Sequence, residues 1–178
     1  MLKLEEIKEI ALACHTNNTL FIIDEAYHLF SSFSSIDLVK EFENIIIVRT
    51  FSKAFGLAGL RIGYCVANKE IINNLMLVRP IADANNIALK TAVFALENFD
   101  YIQKRINDYI EGRDFLYSKF IENGIKTYKS DGNFLLIGCK SIKDAKKALD
   151  EISNKKYLLK GPYTSYPLEN FIRVTIGP

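Results

Sequence analysis

The stretch from Thr50 to Tyr64, which reads TFSKAFGLAGLRIGY, combines residue types that could bind an anion and form a covalent bond. Lys53 follows Ser52 directly, Arg61 comes eight residues later, and three of the chain's nine glycines lie in the stretch. Glycine lets backbone N–H groups approach an anion closely, and hydroxyl and guanidinium groups donate directed hydrogen bonds to phosphate-type oxygens. The stretch therefore predicts an amine beside an anion-binding loop, whereas a lone lysine on a turn would more often be a plain surface residue.

A second group of polar residues begins at Asp24, which directly follows the apolar run from Leu20 to Ile23 and opens the segment DEAY. A carboxylate in this position either caps the next turn or faces a ligand crevice, and the sequence leaves both open. His28 could act as an acid or base, although a histidine in a polar turn is more often solvated. Glu25 has no role that the sequence assigns.

Two continuous apolar runs precede these polar groups, Leu20 to Ile23 and Ile45 to Val48. Such runs are typical of buried parallel strands, and the carboxyl ends of parallel strands open onto the ligand crevice of an α/β sheet. Lys53 is therefore predicted to lie at the functional end of its strand.

The two segments together resemble the paired signature of pyridoxal phosphate enzymes of the aspartate aminotransferase fold, fold type I. The match includes DEAY with the aromatic Phe30 after it, and then SKAFGLAGLRIGY. Among these enzymes the sequence is most similar to the histidinol-phosphate aminotransferases. The resemblance implies that Lys53 is the Schiff-base lysine, and it assigns four further residues to pyridoxal 5'-phosphate: Asp24 to the pyridine nitrogen, Tyr27 to the phenolic oxygen, and Ser52 and Arg61 to the phosphate.

The role that the resemblance gives to Asp24 has a physical reason. A carboxylate about 3 to 4 Å from a protonated ring nitrogen gains about 4 kcal/mol at an effective dielectric constant near 20. The ring then stays a pyridinium, which is the electron sink that carbanion chemistry needs.

A further arginine lies on the last predicted strand, 171–176, where Ile172, Val174 and Ile176 share one face and Arg173 points the other way. Such an arginine is usually just exposed. The segment FIRVTIG resembles the family's terminal strand, which implies that Arg173 binds the substrate's anionic group. Lys160 stands where relatives often have an arginine, so the rest of this anion clamp stays open.

The fold class that the resemblance implies is α/β: part of the large pyridoxal phosphate-transferase domain, mostly a parallel sheet with helices, followed by a small α/β domain. We predict a partial large domain over residues 1–100, a long connecting helix over 101–124 and a small C-terminal domain over 125–178. Periodicity predicts one helix, 87–96, as buried on most sides with Asn86 as its cap. The resemblance also implies that strand 61–67 runs antiparallel to its neighbours. The other predicted helices are 3–15, 36–42, 69–78, 102–120 and 142–152, and the other predicted strands are 125–128 and 134–137.

Composition excludes several classes of protein. A formal net charge of +2 is too balanced to indicate nucleic acid or a membrane surface as partner. No apolar run reaches the roughly 18 residues of a membrane span. The three scattered cysteines, Cys14, Cys65 and Cys139, predict buried free thiols in a reducing compartment. We therefore expect a cytoplasmic protein with no metal site.

The resemblance predicts an aminotransferase of amino-acid metabolism, which moves an amino group between a small phosphorylated amino compound and a 2-oxo acid and is a homodimer when full length. Two alternatives stay open: decarboxylation of a phosphorylated amino acid, as in threonine-phosphate decarboxylases, and a non-catalytic remnant. The match corresponds to the later half of the family's chain, without its terminal helix. The ring-stacking aromatic residue and the phosphate-capping loop belong to the earlier half. We therefore expect this chain alone to be an incomplete enzyme.

Overall fold

The computed structural model describes residues 2–81 and 83–177. These residues form two compact units, which divide the chain into 1–104 and 105–178. The helices are α1 (Leu4–Thr16), α2 (Leu38–Glu41), α3 (Lys69–Val78), α4 (Asn86–Glu97), α5 (Phe99–Glu122) and α6 (Ile142–Asn154). The strands are β1 (Phe21–Asp24), β2 (Ile45–Thr50), β3 (Gly63–Ala67), β4 (Thr127–Tyr128), β5 (Phe134–Gly138) and β6 (Phe171–Thr175).

The sheet of the first unit has the order β1-β2-β3. Strand β1 pairs with β2 in parallel, with Asp24 opposite Val48, and β3 pairs with β2 antiparallel, with Gly63 opposite Thr50. The antiparallel direction of this strand agrees with the expectation from the family resemblance. Because β2 is central, its apolar residues Ile45 and Ile47 are fully buried.

Helix α1 covers one face of this sheet. Its inward residues Ile7 and Ala11 are spaced four apart and pack in one core cluster with Leu38, Ile45 and Ile47. This is the period of an amphipathic helix, and burying each large aliphatic side chain contributes about 1.5–3 kcal/mol. The core thus fixes β1 and β2 side by side.

Helix α4 corrects a prediction. It is not buried on most sides: only its alanines, Ala88, Ala92 and Ala95, are buried, whereas Ile87 is 71% exposed and Phe94 65% exposed. The described chain covers the narrow alanine face and leaves the wider apolar face open. The helix cap is also one residue earlier than predicted, because the Asn85 side chain accepts the Ala88 N–H at 2.8 Å.

The second unit contains an antiparallel sheet of order β4-β5-β6 with helix α6. Helix α5 contains the division between the two units, which falls after Lys104. The domain boundaries at 100 and 124 therefore stay a prediction. Helix α5 ends at Glu122, and Gly124 just after it has a positive φ of 69°, which lets the Ile125 N–H reach the Phe120 carbonyl at 2.8 Å. On β6, Ile172 is buried and Arg173 is half-buried.

The cysteines are free, as predicted, but they are not buried. Cys65 is exposed because β3 is an edge strand of the described sheet, and Cys14 and Cys139 are half-buried. Within the part of the chain that the structure describes, no helix has the length and apolar character needed to cross a membrane.

Candidate active site

The carboxyl ends of β1 and β2 lie level because the two strands are parallel and in register up to Asp24 and Val48. A cavity of about 300 Å³ opens at this edge. Four of the residues singled out in the sequence line it: Asp24, Ser52, Lys53 and Arg61. Asp24 and Arg61 are 37 positions apart in the sequence, and the fold brings them to the same cavity.

The backbone around Lys53 is held by hydrogen bonds. The Ser52 N–H donates to Thr50 Oγ1 at 3.0 Å, the Phe51 N–H donates to the Ile62 carbonyl at 3.2 Å, and the Gly56 N–H donates to the Lys53 carbonyl at 3.0 Å. The Phe51 side chain is buried beneath the loop. Lys53 itself is exposed, so a hydrogen-bonded backbone presents its side chain to the cavity.

Asp24 fulfils both interpretations that the sequence left open. Its Oδ1 accepts the Ala26 N–H at 2.9 Å, which caps the turn after β1, and the residue also lines the cavity. The turn leads to Tyr27, whose ring centre lies 5.5 Å from Lys53 Nζ. An ammonium at this distance from an aromatic ring is attracted to the ring's electron-rich face.

Arg61 also lines the cavity and has an uncommon backbone conformation. Its φ of 52° is left-handed, and its Nη1 donates to the Ala58 carbonyl at 3.1 Å. The side chain is exposed, and its remaining donors are available to an anion in the cavity.

Glu25 and Arg49 form an ion pair that was not predicted from the sequence, and Arg49 also lines the cavity. Arg49 Nε and Nη2 donate to Glu25 Oε2 at 3.0 and 2.9 Å, and the two side chains are only 13% and 9% exposed. A signal was present, since Arg49 is a charged residue inside the otherwise apolar segment IIIV-R-T. The contact itself joins residues 24 positions apart and follows from the pairing of β1 with β2.

His28 lies against the same pair. Its Nδ1 is 3.1 Å from the Glu25 carbonyl oxygen, and the ring is half-buried. Burial and the nearby Arg49 cation lower the pKa of His28 below its ordinary value. The neutral imidazole is therefore favoured, which differs from the solvated histidine that is more usual in a polar turn.

Arg173 belongs to the second unit. Its guanidinium carbon lies 4.1 Å from the centre of the Phe134 ring, and its backbone exchanges two hydrogen bonds with Lys160, at 3.2 and 2.7 Å. The two cationic residues therefore lie on adjacent extended segments. The predicted role of Arg173 toward substrate stays a prediction.

Other parts of the described chain offer less chemistry. A cavity of about 610 Å³ lies at the opposite, amino end of β1 and β2, near Leu20 and Asn44, far along the strands from Lys53. Among the described residues, no group of three or more histidine, cysteine, aspartate or glutamate side chains could hold a metal ion.

Comparison with known proteins places the chain in a family. The family model described as aminotransferase class I and II matches residues 1–178, and the chain belongs to this family. It is 38% identical over 186 residues to histidinol-phosphate aminotransferase 2 of Legionella pneumophila (strain Paris), covering 99% of this chain and 48% of that protein. The chain thus spans about half the length of the curated relatives that it matches.

Solved structures agree on the fold. Histidinol-phosphate aminotransferase from Sinorhizobium meliloti in complex with pyridoxal-5'-phosphate superposes with a TM-score of 0.83 at 25% identity, over 96% of this chain and 48% of that one. L-threonine-O-3-phosphate decarboxylase from Porphyromonas gingivalis gives a TM-score of 0.80 at 26% identity, over 100% of this chain and 55% of that one. The predicted α/β fold of type I is confirmed.

The groups around the cavity fit pyridoxal phosphate. The cofactor presents a ring nitrogen that a carboxylate can pair with, a carbonyl that an amine can attack, and a phosphate that a hydroxyl and a guanidinium can bind. Asp24, Lys53, Ser52 and Arg61 are groups of these kinds, and they line one cavity.

Proposed function

We propose that this chain carries the catalytic lysine and much of the cofactor site of a pyridoxal phosphate-dependent aminotransferase. The observation that supports the proposal is the cavity at the carboxyl ends of β1 and β2, where Asp24, Ser52, Lys53 and Arg61 meet. Family membership over residues 1–178 supports it independently.

Lys53 is the catalytic residue of this proposal. Its exposed amine at the cavity edge would hold pyridoxal phosphate through Nζ. Once an amine substrate has taken its place, Nζ would be free to act as the base that takes a proton from the substrate's Cα and holds it for return. When bound, pyridoxal phosphate supplies the electron sink that stabilises negative charge at that Cα.

Asp24 and Tyr27 orient the cofactor ring in this proposal. The Asp24 carboxylate keeps the ring nitrogen protonated, and the turn that its Oδ1 caps at 2.9 Å fixes its direction. The hydroxyl of Tyr27 donates to the phenolic oxygen, while its ring lies 5.5 Å from Lys53 Nζ. Asp24 is the last residue of β1 and Tyr27 follows three residues later, so one strand end sets both contacts.

Ser52 and Arg61 bind the phosphate. Charge-assisted hydrogen bonds to phosphate contribute about 1.5–3 kcal/mol each, so these two side chains hold the cofactor even while Lys53 is released from it. Arg61 and Ser52 line the same cavity, so one anion there can accept hydrogen bonds from both side chains.

For substrates we propose a small phosphorylated amino compound as donor, histidinol phosphate being the first candidate, and a 2-oxo acid as acceptor. The 38% identity to a histidinol-phosphate aminotransferase supports this choice. Arg173 binds the anionic group of the substrate, and a homodimer is the proposed assembly of the full-length protein. The division into a partial large domain, a connecting helix and a small domain is part of the same proposal.

Decarboxylation of a phosphorylated amino acid is the second candidate. The structural match to the threonine-phosphate decarboxylase of Porphyromonas gingivalis supports it, at 26% identity and a TM-score of 0.80. The two reactions differ in which bond to Cα breaks, and the same lysine serves both.

A paired assay tests the function. The chain, loaded with pyridoxal phosphate, is mixed with histidinol phosphate and a 2-oxo acid, and separately with threonine phosphate, while the amino acid formed and the carbon dioxide released are measured. We expect slow amino transfer that Lys53→Ala abolishes and that Lys90→Ala, an exposed lysine on α4, leaves in place. Carbon dioxide without amino transfer would favour the decarboxylase, and neither product would favour a non-catalytic remnant.

A further inference from the structure

We infer that Glu25 and Arg49 are positioning residues of the proposed amino-transfer site, whose ion pair fixes the Asp24 turn relative to the Lys53 loop. The inference rests on the proposed function. Arg49 also lines the cavity, but its guanidinium nitrogens donate to Glu25, Ser34 and Tyr64, and we therefore assign both residues a positioning role. Glu25 directly follows Asp24, and Arg49 comes four residues before Lys53.

The pair is buried and saturated with hydrogen bonds. Glu25 accepts the Arg49 Nε and Nη2 donors at 3.0 and 2.9 Å, the Ser34 hydroxyl at 2.9 Å and the Ser35 N–H. Arg49 Nη2 also donates to Ser34 Oγ at 2.7 Å, and its Nη1 lies 3.4 Å from the Tyr64 hydroxyl. A guanidinium that donates twice to one carboxylate oxygen and also to two hydroxyl groups has little freedom to move.

These contacts connect the parts of the chain that carry the site. The Glu25 carboxylate ties the end of β1 to β2 through Arg49 and closes the segment from residue 25 to residue 35 through Ser34 and Ser35. Tyr27 lies inside that closed segment. On the other strand, Arg49 precedes Thr50, whose Oγ1 accepts the Ser52 N–H. One ion pair thus sets the spacing between both loops at the cavity.

The electrostatics favour the same role. Asp24 is exposed and lines the cavity, whereas its neighbour Glu25 is buried and faces Arg49. The buried Glu25 carboxylate has a counter-ion in Arg49 at 2.9 Å, and the exposed Asp24 carboxylate is left to face the cavity. Removing either partner would leave one buried charge without its counter-ion, which forces the local backbone to rearrange.

The location argues against a purely stabilising function. Buried ion pairs are weak contributors to stability compared with apolar packing, yet this one occupies the carboxyl ends of the strands, outside the core cluster under α1. The ion pairs Lys8–Glu41 and Lys40–Asp37 in the same unit are largely exposed, and neither adjoins the cavity.

The test compares Glu25→Gln, Arg49→Lys and the double variant Glu25→Gln/Arg49→Gln with the unchanged 178-residue chain. Ile45→Val is the matched control, because it weakens the core on the same strand without touching the pair. Two readouts are taken at conditions where every variant is folded. The first is the pyridoxal phosphate concentration that half-saturates borohydride-trapped labelling of Lys53. The second, made without cofactor, is amide hydrogen exchange over residues 24–28 and 50–53.

We expect Glu25→Gln to raise the half-saturating concentration about 10- to 100-fold, the size of effect that a small misplacement of reacting groups produces. The half-saturating concentration of the double variant should be no higher than that of the single variants, since the two residues act as a unit. Arg49→Lys keeps the positive charge, so it should raise the half-saturating concentration less than Glu25→Gln does. Exchange at both segments should speed up in Glu25→Gln and stay unchanged in Ile45→Val.

Unchanged labelling in Glu25→Gln, or an equal loss in Ile45→Val, would overturn the inference and leave the proposed function standing. If the unchanged chain takes no label, the proposed function fails instead. The exchange measurement then decides the inference alone, and unchanged exchange over residues 24–28 and 50–53 would overturn it.

Discussion

Gly63 approaches Arg49 so closely across β2 and β3 that a Cβ on Gly63 would lie 2.6 Å from the Arg49 carbonyl oxygen. Neither backbone can yield easily, because Gly63 pairs with Thr50 in the sheet. Replacing Gly63 by alanine must therefore push the strands apart where β2 turns toward Lys53. We expect the free energy of unfolding, measured by urea denaturation, to fall by about 1–3 kcal/mol.

Gly59→Ala is the control for this prediction. No atom lies within 4 Å of the Cβ that it would add, so its free energy of unfolding should change little. If both variants lost the same free energy of unfolding, the close approach of Gly63 to Arg49 would not be the cause of the loss in Gly63→Ala.

Asp24→Asn separates the two roles that Asp24 has at the end of β1. Asparagine keeps an oxygen for the Ala26 N–H, so the turn survives, but it removes the charge that would pair with the ring nitrogen. That pairing is worth about 4 kcal/mol at short range, so we expect amino transfer to fall by about two to three orders of magnitude. Labelling of Lys53 by cofactor and borohydride should persist. Amino transfer near the unchanged rate would reduce Asp24 to a turn cap.

His28 gives the protein a pH dependence of known sign. Burial and the Arg49 cation lower its pKa in the folded protein below the reference value of 6.5, so the unfolded chain binds a proton more readily. The stability that this contributes is complete above the unfolded pKa and is lost as the pH falls through the folded pKa. Melting temperatures measured downward from pH 7.5 should fall, and His28→Gln should flatten part of that fall. The other histidine, His15, serves as control. If His15→Gln flattened the fall in melting temperature as much as His28→Gln, the assignment of this pH dependence to His28 would be contradicted.

The apolar face of α4 predicts self-association of this chain. Ile87, Val93 and Phe94 are 71%, 54% and 65% exposed, and an exposed apolar patch of this kind favours contact with another surface. We expect the apparent mass in analytical sizing to rise with protein concentration, and Phe94→Lys to reduce that rise. Asn74→Lys adds the same charge at an exposed position on α3 and should leave the rise in apparent mass unchanged. A concentration-independent monomer would contradict the prediction.

Much of the first unit was predictable because local sequence determines it. The apolar runs before Asp24 and Thr50 correspond to β1 and β2, and the predicted helix 69–78 agrees with α3. Gly124 follows α5 in a left-handed conformation, which glycine adopts more easily than other residues. The direction of β3 came from the family resemblance, since alternation alone does not distinguish parallel from antiparallel pairing.

What could not be predicted depends on neighbours that a single segment does not specify. The pattern of α4 shows that its residues are apolar, but not that only Ala88, Ala92 and Ala95 find partners. The Glu25–Arg49 pair required the register of two strands, and the exposure of Cys65 required its place on an edge strand. For the site, residue type and spacing selected Ser52, Lys53 and Arg61, and the family resemblance added Asp24, whereas the ion pair between Glu25 and Arg49 was found only in three dimensions.

The most direct test of the account is the position of the covalent label. The 178-residue chain is incubated with pyridoxal phosphate, reduced with borohydride, digested and mapped by mass spectrometry. Lys53 is the lysine that lines the cavity with Asp24, Ser52 and Arg61, so the account predicts a pyridoxyl group on Lys53 that saturates with cofactor concentration. A label on Lys69 or Lys90 in place of Lys53 would contradict it.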